Sequence, residues 1–557
     1  MRLGHLLALA AILLGCVKFW AAGQSTPRPV QTTRAQFTDV AAQSHFAYVT
    51  RNDYRSRKYF IQPMCGGVAI FDYDNDGQPD IFFTNGSELA SMRRPSSFNN
   101  CLLHNRGHGV FVDQTVSAGL TGSDMGYSFG VAAGDYDNDG YTDLFICNAG
   151  VNRLLHNNRD GTFSDVSAGS GLRKPEGTLS VGAAWFDYDN DGLPDLVVSN
   201  YTIWTPESDL RCEDALQREI YCSPTRFVSV PDRLYHNLGN GKFEDVTDQA
   251  GFGQVLGKGM GISIADANGD GRPDVFVVND TERNFLFINQ GNGTFREEGV
   301  LYGIAFNDDG VEVSGMGSDV KDFNNDGLPD FFYNDLPRQV FALFLNQGGK
   351  LFRYASPSTA LARLSYRMGG WSGGFIDYDN DGWKDLYSAN GDVDYYGDNA
   401  QQADTMFRNL GGKSVQDVSK AMGAGFTRKG WHRGSAFGDL NNDGSVDIVV
   451  TGLNESPRIL MNSGTPGAHW LLLDLIGSRG SRDAIGAAIK LTTQSHRTLY
   501  NHVSVSTGFM SSSDRRVHFG LGDEGGILSL EIHWPGGQVQ ILHDVKPDQI
   551  LKVREPK

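Results

Sequence analysis

Apolar residues along this chain come in short bursts cut by glycine, asparagine and aspartate, and no stretch sustains the spacing of an amphipathic helix. A small, glycine-rich apolar run such as Phe129-Gly130-Val131-Ala132-Ala133-Gly134 leads into an acidic stretch. A strand-like burst follows, as in Leu196-Val197-Val198 or Val275-Phe276-Val277-Val278. Further on comes a second signature, Leu155-His156-Asn157-Asn158 with Gly161-Thr162-Phe163-Ser164-Asp165-Val166. It recurs at 234–246 and more loosely at 285–296 and 406–418. Apolar run, Asn/Gly turn, apolar run predicts a hairpin, so each unit supplies about four strands.

The acidic stretch is one nine-residue motif, Asp-x-(Asp/Asn)-x-Asp-Gly-x-x-Asp, written seven times at intervals of 52 to 79 residues. Its oxygen-bearing positions are Asp72, Asp74, Asp76, Asp80; Asp135, Asp137, Asp139, Asp143; and Asp187, Asp189, Asp191, Asp195. They continue as Asp266, Asn268, Asp270, Asp274; Asp322, Asn324, Asp326, Asp330; Asp377, Asp379, Asp381, Asp385; and Asp439, Asn441, Asp443, Asp447. Carboxylates at alternate positions around a glycine turn suit Ca²⁺, which takes six to eight oxygens at flexible geometry. Up to seven Ca²⁺ sites are expected. An EF-hand is excluded, because position 12 holds Phe83, Ile146, Val198, Val277, Tyr333, Ser388 or Val450, and the ninth-position Asp closes the loop instead. Asn268, Asn324 and Asn441 each remove one charge, which predicts weaker binding at those three loops.

Repetition also sets the architecture. Units of this length match propeller blades, and the expected fold is all-β: a seven-bladed β-propeller over 37–463, then a small all-β domain over 468–557. The last unit stops at Ile459-Leu460-Met461-Asn462, and its missing half stands at the other end as Phe37-Thr38-Asp39-Val40. A ring closed by its first strand has no sheet edges. The longest insertion, 201–232, holds Cys212 and Cys222, and 391–404 is a short acidic loop. The tail alternates through β segments at 470–475, 487–492, 503–506, 528–534, 538–542 and 550–553.

Charge follows from the loops. The formal net charge is −18, and the seven motifs alone carry 25 aspartates. Seven bound Ca²⁺ would leave about −4, so the acidity needs no basic partner. A basic stripe for nucleic acid is missing. Arg2 and the apolar run at 6–14 read as an export signal over 1–23, followed by a flexible lead at 24–36. Two cuts compete: a lipobox-like Leu13-Leu14-Gly15-Cys16, which would make Cys16 a lipid anchor, and an ordinary site near Ala21-Ala22-Gly23. In an oxidising compartment a Cys212–Cys222 disulfide is expected, Cys65–Cys101 is a weaker pairing, and Cys147 is a buried free thiol.

Other motifs fail on context. Gly126-Tyr127-Ser128-Phe129-Gly130 and Gly370-Trp371-Ser372-Gly373-Gly374 match a nucleophile elbow, but an Asp loop follows where a helix is required. Both fall in the slot of Gly259-Met260-Gly261 and Gly315-Met316-Gly317, where small residues are expected to let the innermost strands crowd at the axis. His104, His156 and His236 share one slot in separate units and read as structural hairpin residues. Arg367, Trp371, Trp431, His432 and Arg433 sit before the last two loops and form a candidate face for an anionic or sugar ligand.

Phe129-Gly130 leading into Asp135-Tyr136-Asp137-Asn138-Asp139-Gly140 resembles the FG-GAP/VCBS repeats of integrin α-type propellers. The tail resembles the ASPIC/UnbV domain through His469-Trp470, Ser481-Arg482-Asp483-Ala484-Ile485-Gly486-Ala487, His518-Phe519-Gly520-Leu521-Gly522 and Trp534-Pro535-Gly536-Gly537. Together they resemble the cartilage acidic protein family, with its exported bacterial members. The resemblance implies an extracellular Ca²⁺-binding propeller and no settled activity. Arg482 and Asp483 are expected to pair at a β-turn. The reading is a secreted, periplasmic or surface-tethered, monomeric, non-catalytic adhesion or interaction module for a protein or glycan. The alternative is a hydrolase or lyase with its site on the axial face.

Overall fold

The structure is a computed structural model that describes residues 35–557 except 55–56, 123–124 and 394–399. The export signal, Cys16 and nearly all of the polar lead lie outside the described residues.

Seven groups of strands follow along the chain, each pairing antiparallel in a propeller-like order. The first is Val68–Phe71, Asp80–Phe83, Cys101–Asn105 and Phe111–Asp113. The second is Tyr127–Gly134, Asp143–Ala149, Arg153–Asn157 and Phe163–Asp165. It joins the third (Thr178–Phe186, Asp195–Ile203, Arg233–Gly239, Lys242–Asp245) where Leu179 pairs with Ala149. The fourth, fifth and sixth begin at Gly259–Ala265, Ser318–Lys321 and Gly370–Ile376. The seventh supplies His432–Gly438, Asp447–Gly452 and Arg458–Asn462, and its fourth strand is Phe37–Asp39, with Phe37 opposite Asn462.

Apolar faces pack between consecutive groups. Phe71, Phe82 and Ile146 share one such core, and Ile264, Val275 and Phe287 sit in another beside Leu234. Val68, Ile70 and Phe83 of the first group pack on Ala436, Val449 and Ile459 of the seventh. Among the described residues the helices are single turns, such as Thr247–Ala250, because the apolar bursts are too short to give a helix a buried face.

The tail forms two sheets. One orders Val517–Gly522, His469–Ile476 and Gln549–Arg554; the other orders Thr498–His502, Ala488–Thr493, Ile527–His533 and Val539–Val545. Its most consequential segment is not a strand of either sheet. Between Thr498–His502 and Val517–Gly522 the chain enters the middle of the repeats. There Ser512 bridges Ala69 and Gly508 bridges Ser318. The Met510 carbonyl accepts from Val131 N at 3.2 Å, and Asp514 N donates to the Phe437 carbonyl at 3.0 Å. Phe509 N donates to Ser372 Oγ at 2.9 Å, and Ser506 Oγ donates to the Ile262 carbonyl at 2.8 Å. Phe509 and Met510 are buried against Phe129, Val181, Met260, Met316 and Trp371.

This extends the expected role of the small residues: a Cβ on Gly130 would lie 2.3 Å from the Val181 carbonyl oxygen of the neighbouring strand. A Cβ on Gly317 would lie 2.4 Å from Phe509 N, and one on Gly67 would lie 2.4 Å from the Met510 carbonyl oxygen. The glycines make room for the hairpin as well as for neighbouring strands. The sequence segment 503–506 is thus an arm of this plug, not an ordinary sheet strand.

Candidate cation-binding loops and their surroundings

Each acidic loop is wound by its own backbone. The position-1 carboxylate accepts from the N–H groups of positions 5 and 6, as in Asp76 and Gly77 to Asp72 at 3.1 and 2.8 Å. The same pair recurs at Asp135, Asp187, Asp266, Asp322, Asp377 and Asp439. Position 6 stands at positive φ, for example 96° at Gly140, which is why glycine is required there. These bonds hold the carboxylates in place and leave their other lone pairs converging. Ligand atoms of Asp72, Asp74 and Asp80, and of Asp135, Asp137 and Asp143, lie within 4.8 Å of one another.

Two observations test whether a hard cation fits. Asp74 Oδ1 and Asp379 Oδ1 are buried without a hydrogen-bond partner, which is costly unless something positive faces them. Burial also raises the carboxyls, Asp80 and Asp187 to about 7 and Asp274 to about 8, with neighbouring aspartates adding to the rise. The donor set, all oxygen and densely acidic, fits Ca²⁺.

The loops are stapled to one another by a residue the sequence reading passed over. In each group an asparagine stands at or near the end of the third strand: Asn105, Asn157, Asn237, Asn289, Asn346, Asn409 and Asn462. Its backbone N–H donates to the ninth-position Asp of its own loop at 2.6–2.8 Å. Its Nδ2 donates to the position-2 carbonyl of a neighbouring loop, in turn Leu440, Tyr73, Tyr136, Tyr188, Ala267, Phe323 and Tyr378. The circuit closes, since Asn105 of the first group reaches Leu440 of the seventh. Position-4 asparagines add links, such as Asn75 to the Gly140 carbonyl and Asn442 to the Gly77 carbonyl, both at 2.9 Å. The visible signal was the recurring Asn after His104, His156 and His236; its partners are too distant in sequence to infer.

The three histidines lie in hairpin strands as expected, and each also faces acid. Nδ1 of His104, His156 and His236 is 3.1–3.2 Å from Asp80, Asp143 and Asp195. Arg482 and Asp483 do not pair with each other. Asp483 accepts from Asp135 N at 2.8 Å and faces Arg515, while Arg482 N donates to Asn138 Oδ1 at 2.8 Å. Both residues dock the tail onto the loops.

The candidate ligand face is mostly interior. Trp371, His432 and Arg433 are buried, Trp431 is half-buried and Arg367 is exposed. The Arg433 guanidinium stacks on Trp371 at 3.8 Å and donates to the Pro63 and His432 carbonyls. His432 Nδ1 lies 2.6 Å from Asp404, which also binds Arg458. These side chains brace the end of the ring opposite the acidic loops. Cys212 and Cys222 form a disulfide, whereas Cys65 and Cys101 are free, buried in different apolar clusters. Cys147 is likewise free and buried.

Comparison with known proteins agrees with this geometry. The FG-GAP-like repeat model matches in overlapping stretches, 72–146, 135–198, 220–277, 266–317, 322–388 and 377–450. The ASPIC and UnbV model matches 477–557. Cartilage acidic protein 1 of Xenopus tropicalis is 26% identical over 506 residues, covering 85% of this chain and 70% of its own. The Mus musculus protein of that name is 25% identical over 519 residues, covering 88% and 73%. With acidic loops, stapled sheets and tail accounted for, the chain belongs to the FG-GAP-like repeat family and carries a C-terminal ASPIC and UnbV domain.

Proposed function

We propose that the chain is an exported or surface-tethered, calcium-binding interaction module without catalytic activity. Its scaffold is a closed seven-bladed propeller at 37–463 carrying the tail domain at 468–557. The observation that carries this reading is the circuit of seven acidic loops, each tied to its neighbour by an asparagine, with carboxylate oxygens that converge as at the 72 and 135 loops. Bound Ca²⁺ supplies the positive charge that up to seven such clusters lack. The chain's own part is to preform the oxygen cage through backbone N–H donors and to link one cage to the next.

The Cys212–Cys222 disulfide supports export, because such bonds persist in oxidising compartments. Among the described residues no helix is long and apolar enough to cross a membrane. Attachment through Cys16 is the form that tethering would take. The axis, where a hydrolase or lyase site would have to open, is filled by Phe509 and Met510. A protein or glycan partner would engage the non-repeating loops, above all the disulfide-bearing insertion at 201–232. Calorimetric titration of the chelated protein with Ca²⁺ tests the reading: saturable uptake with a higher melting temperature is expected, and no uptake would overturn it.

A further inference from the structure

One residue per group precedes the stapling asparagine: His104, His156, His236, Ile288, Leu345, Arg408 and Met461. These seven residues sort with the loops they face. The loops with four aspartates, at 72, 135, 187 and 377, have His, His, His and Arg in this slot. The loops with asparagine at position 3, at 266, 322 and 439, have Ile, Leu and Met. A cation-capable residue stands wherever the extra carboxylate stands, and an aliphatic one wherever it is missing.

The geometry gives the reason. In the four-aspartate loops the slot residue reaches the position-3 carboxylate, by direct ion pair for Arg408 and as the second neighbour, after the ninth-position Asp, for the histidines. Arg408 Nε is 2.9 Å from Asp379 Oδ2, and its Nη2 is 2.9 Å from Asp381. His104, His156 and His236 lie 3.5–3.6 Å from Asp74, Asp137 and Asp189 through the same carboxylate oxygen. In the other class the position-3 amide needs no such partner. Asn268, Asn324 and Asn441 each donate Nδ2 to the position-5 aspartate at 2.9 Å. Asp379 keeps its other oxygen, Oδ1, buried and unpartnered, so Arg408 takes one face of the carboxylate and leaves the other to the cage.

We propose that this slot sets the charge a cation meets at the 377 loop: Arg408 balances the fourth aspartate from the adjacent strand, so that this loop presents nearly the field of the three asparagine loops. The asparagine loops are then not the weaker class. This rests on the calcium reading above and deepens it.

Trp383, at position 7 of the 377 loop, allows one site to be read among seven. Terbium emission excited through tryptophan, counting only the part lost on Trp383→Phe and displaced by Ca²⁺, reports that loop. Arg408→Met should tighten Ca²⁺ there at least ~10-fold and Asp379→Asn should weaken it at least ~10-fold, as expected for one charge next to a divalent ion at short range. The double variant should return to within about threefold of the parent, because it recreates the charge count of the 439 loop. An unchanged affinity in Arg408→Met, or a double variant as weak as Asp379→Asn, would overturn the charge-setting role. No Trp383-dependent signal in any of the four proteins would instead overturn the calcium reading at this loop, and the proposal with it. Should Arg408→Met fail to fold, the reverse graft decides. Asn441→Asp should tighten the 439 loop, read through Trp470 beside Gly444, and adding Met461→Arg should restore the parent affinity. Failure of Met461→Arg to restore it would overturn the proposal.

Discussion

The rim and the axis of the repeats hold the same ring by opposite means. At the rim, 25 aspartates crowd into seven loops, and neighbouring loops are linked by asparagine side chains. At the axis, a hairpin borrowed from the tail packs Phe509 and Met510 among aromatic and methionine side chains, in space left by glycine. The rim is periodic because every group meets the same problem of placing carboxylates. The axis is not, because one hairpin has to meet different partners in turn: Ala69, Val131, Ile262, Ser318, Ser372 and Phe437. The stability that the proposed cations add and the stability that the buried hairpin adds are therefore distinguishable, although Arg482 and Asp483 also tie the tail to the 135 loop.

Removing Ca²⁺ should have the largest effect. Each loop held at 100-fold over its dissociation constant contributes about 2.7 kcal/mol, so excess chelator should lower the melting temperature by well over ~10 °C. An unchanged melting temperature would break the rim side of the comparison. In the chelated protein pH adds a second signature. Asp80, Asp187 and Asp274, raised to about 7, 7 and 8, hold protons that the unfolded chain releases near pH 4. The ion-free fold should thus lose stability as pH rises from about 4 to 8, and melts at pH 5 and pH 8 check the sign.

Phe509→Ala should cost about 3–5 kcal/mol, the range for deleting a buried aromatic side chain. It should leave calcium uptake near its parent level, which titration of the same variant measures. Equal losses in stability and uptake would show that rim and axis are one device. Asn409→Ala removes the donor to the Lys384 and Phe323 carbonyls and should cost about 1–3 kcal/mol. Hydrogen exchange should quicken mainly in the fifth and sixth groups. The smallest change in calcium uptake is expected from Cys212→Ser with Cys222→Ser: the disulfide packs in the apolar cluster that holds Phe509 and Met510, away from the acidic loops, so stability should fall while uptake is unaltered.

Much of this was legible in the chain. Position-1 aspartates and position-6 glycines announce the loops because the local turn alone dictates them, and Phe37–Asp39 announced the pairing found with Arg458–Asn462. The Asn staples were visible as a recurring letter without a partner. Two expectations needed tertiary contacts: Trp371 and Arg433 do come together, but burial by the surrounding chain is not written in either stretch, and the sequence neighbours Arg482 and Asp483 face different partners.

The sequence by itself determined the repeat, the all-β class, the cation-seeking loops and the disulfide at Cys212–Cys222, all products of local turn chemistry and period. Only the tertiary structure decided that the tail threads the ring, that seven asparagines link its loops, and that Arg408 answers Asp379. Those contacts join residues 29 to more than 400 positions apart, and only the folded sheets bring them within bonding distance.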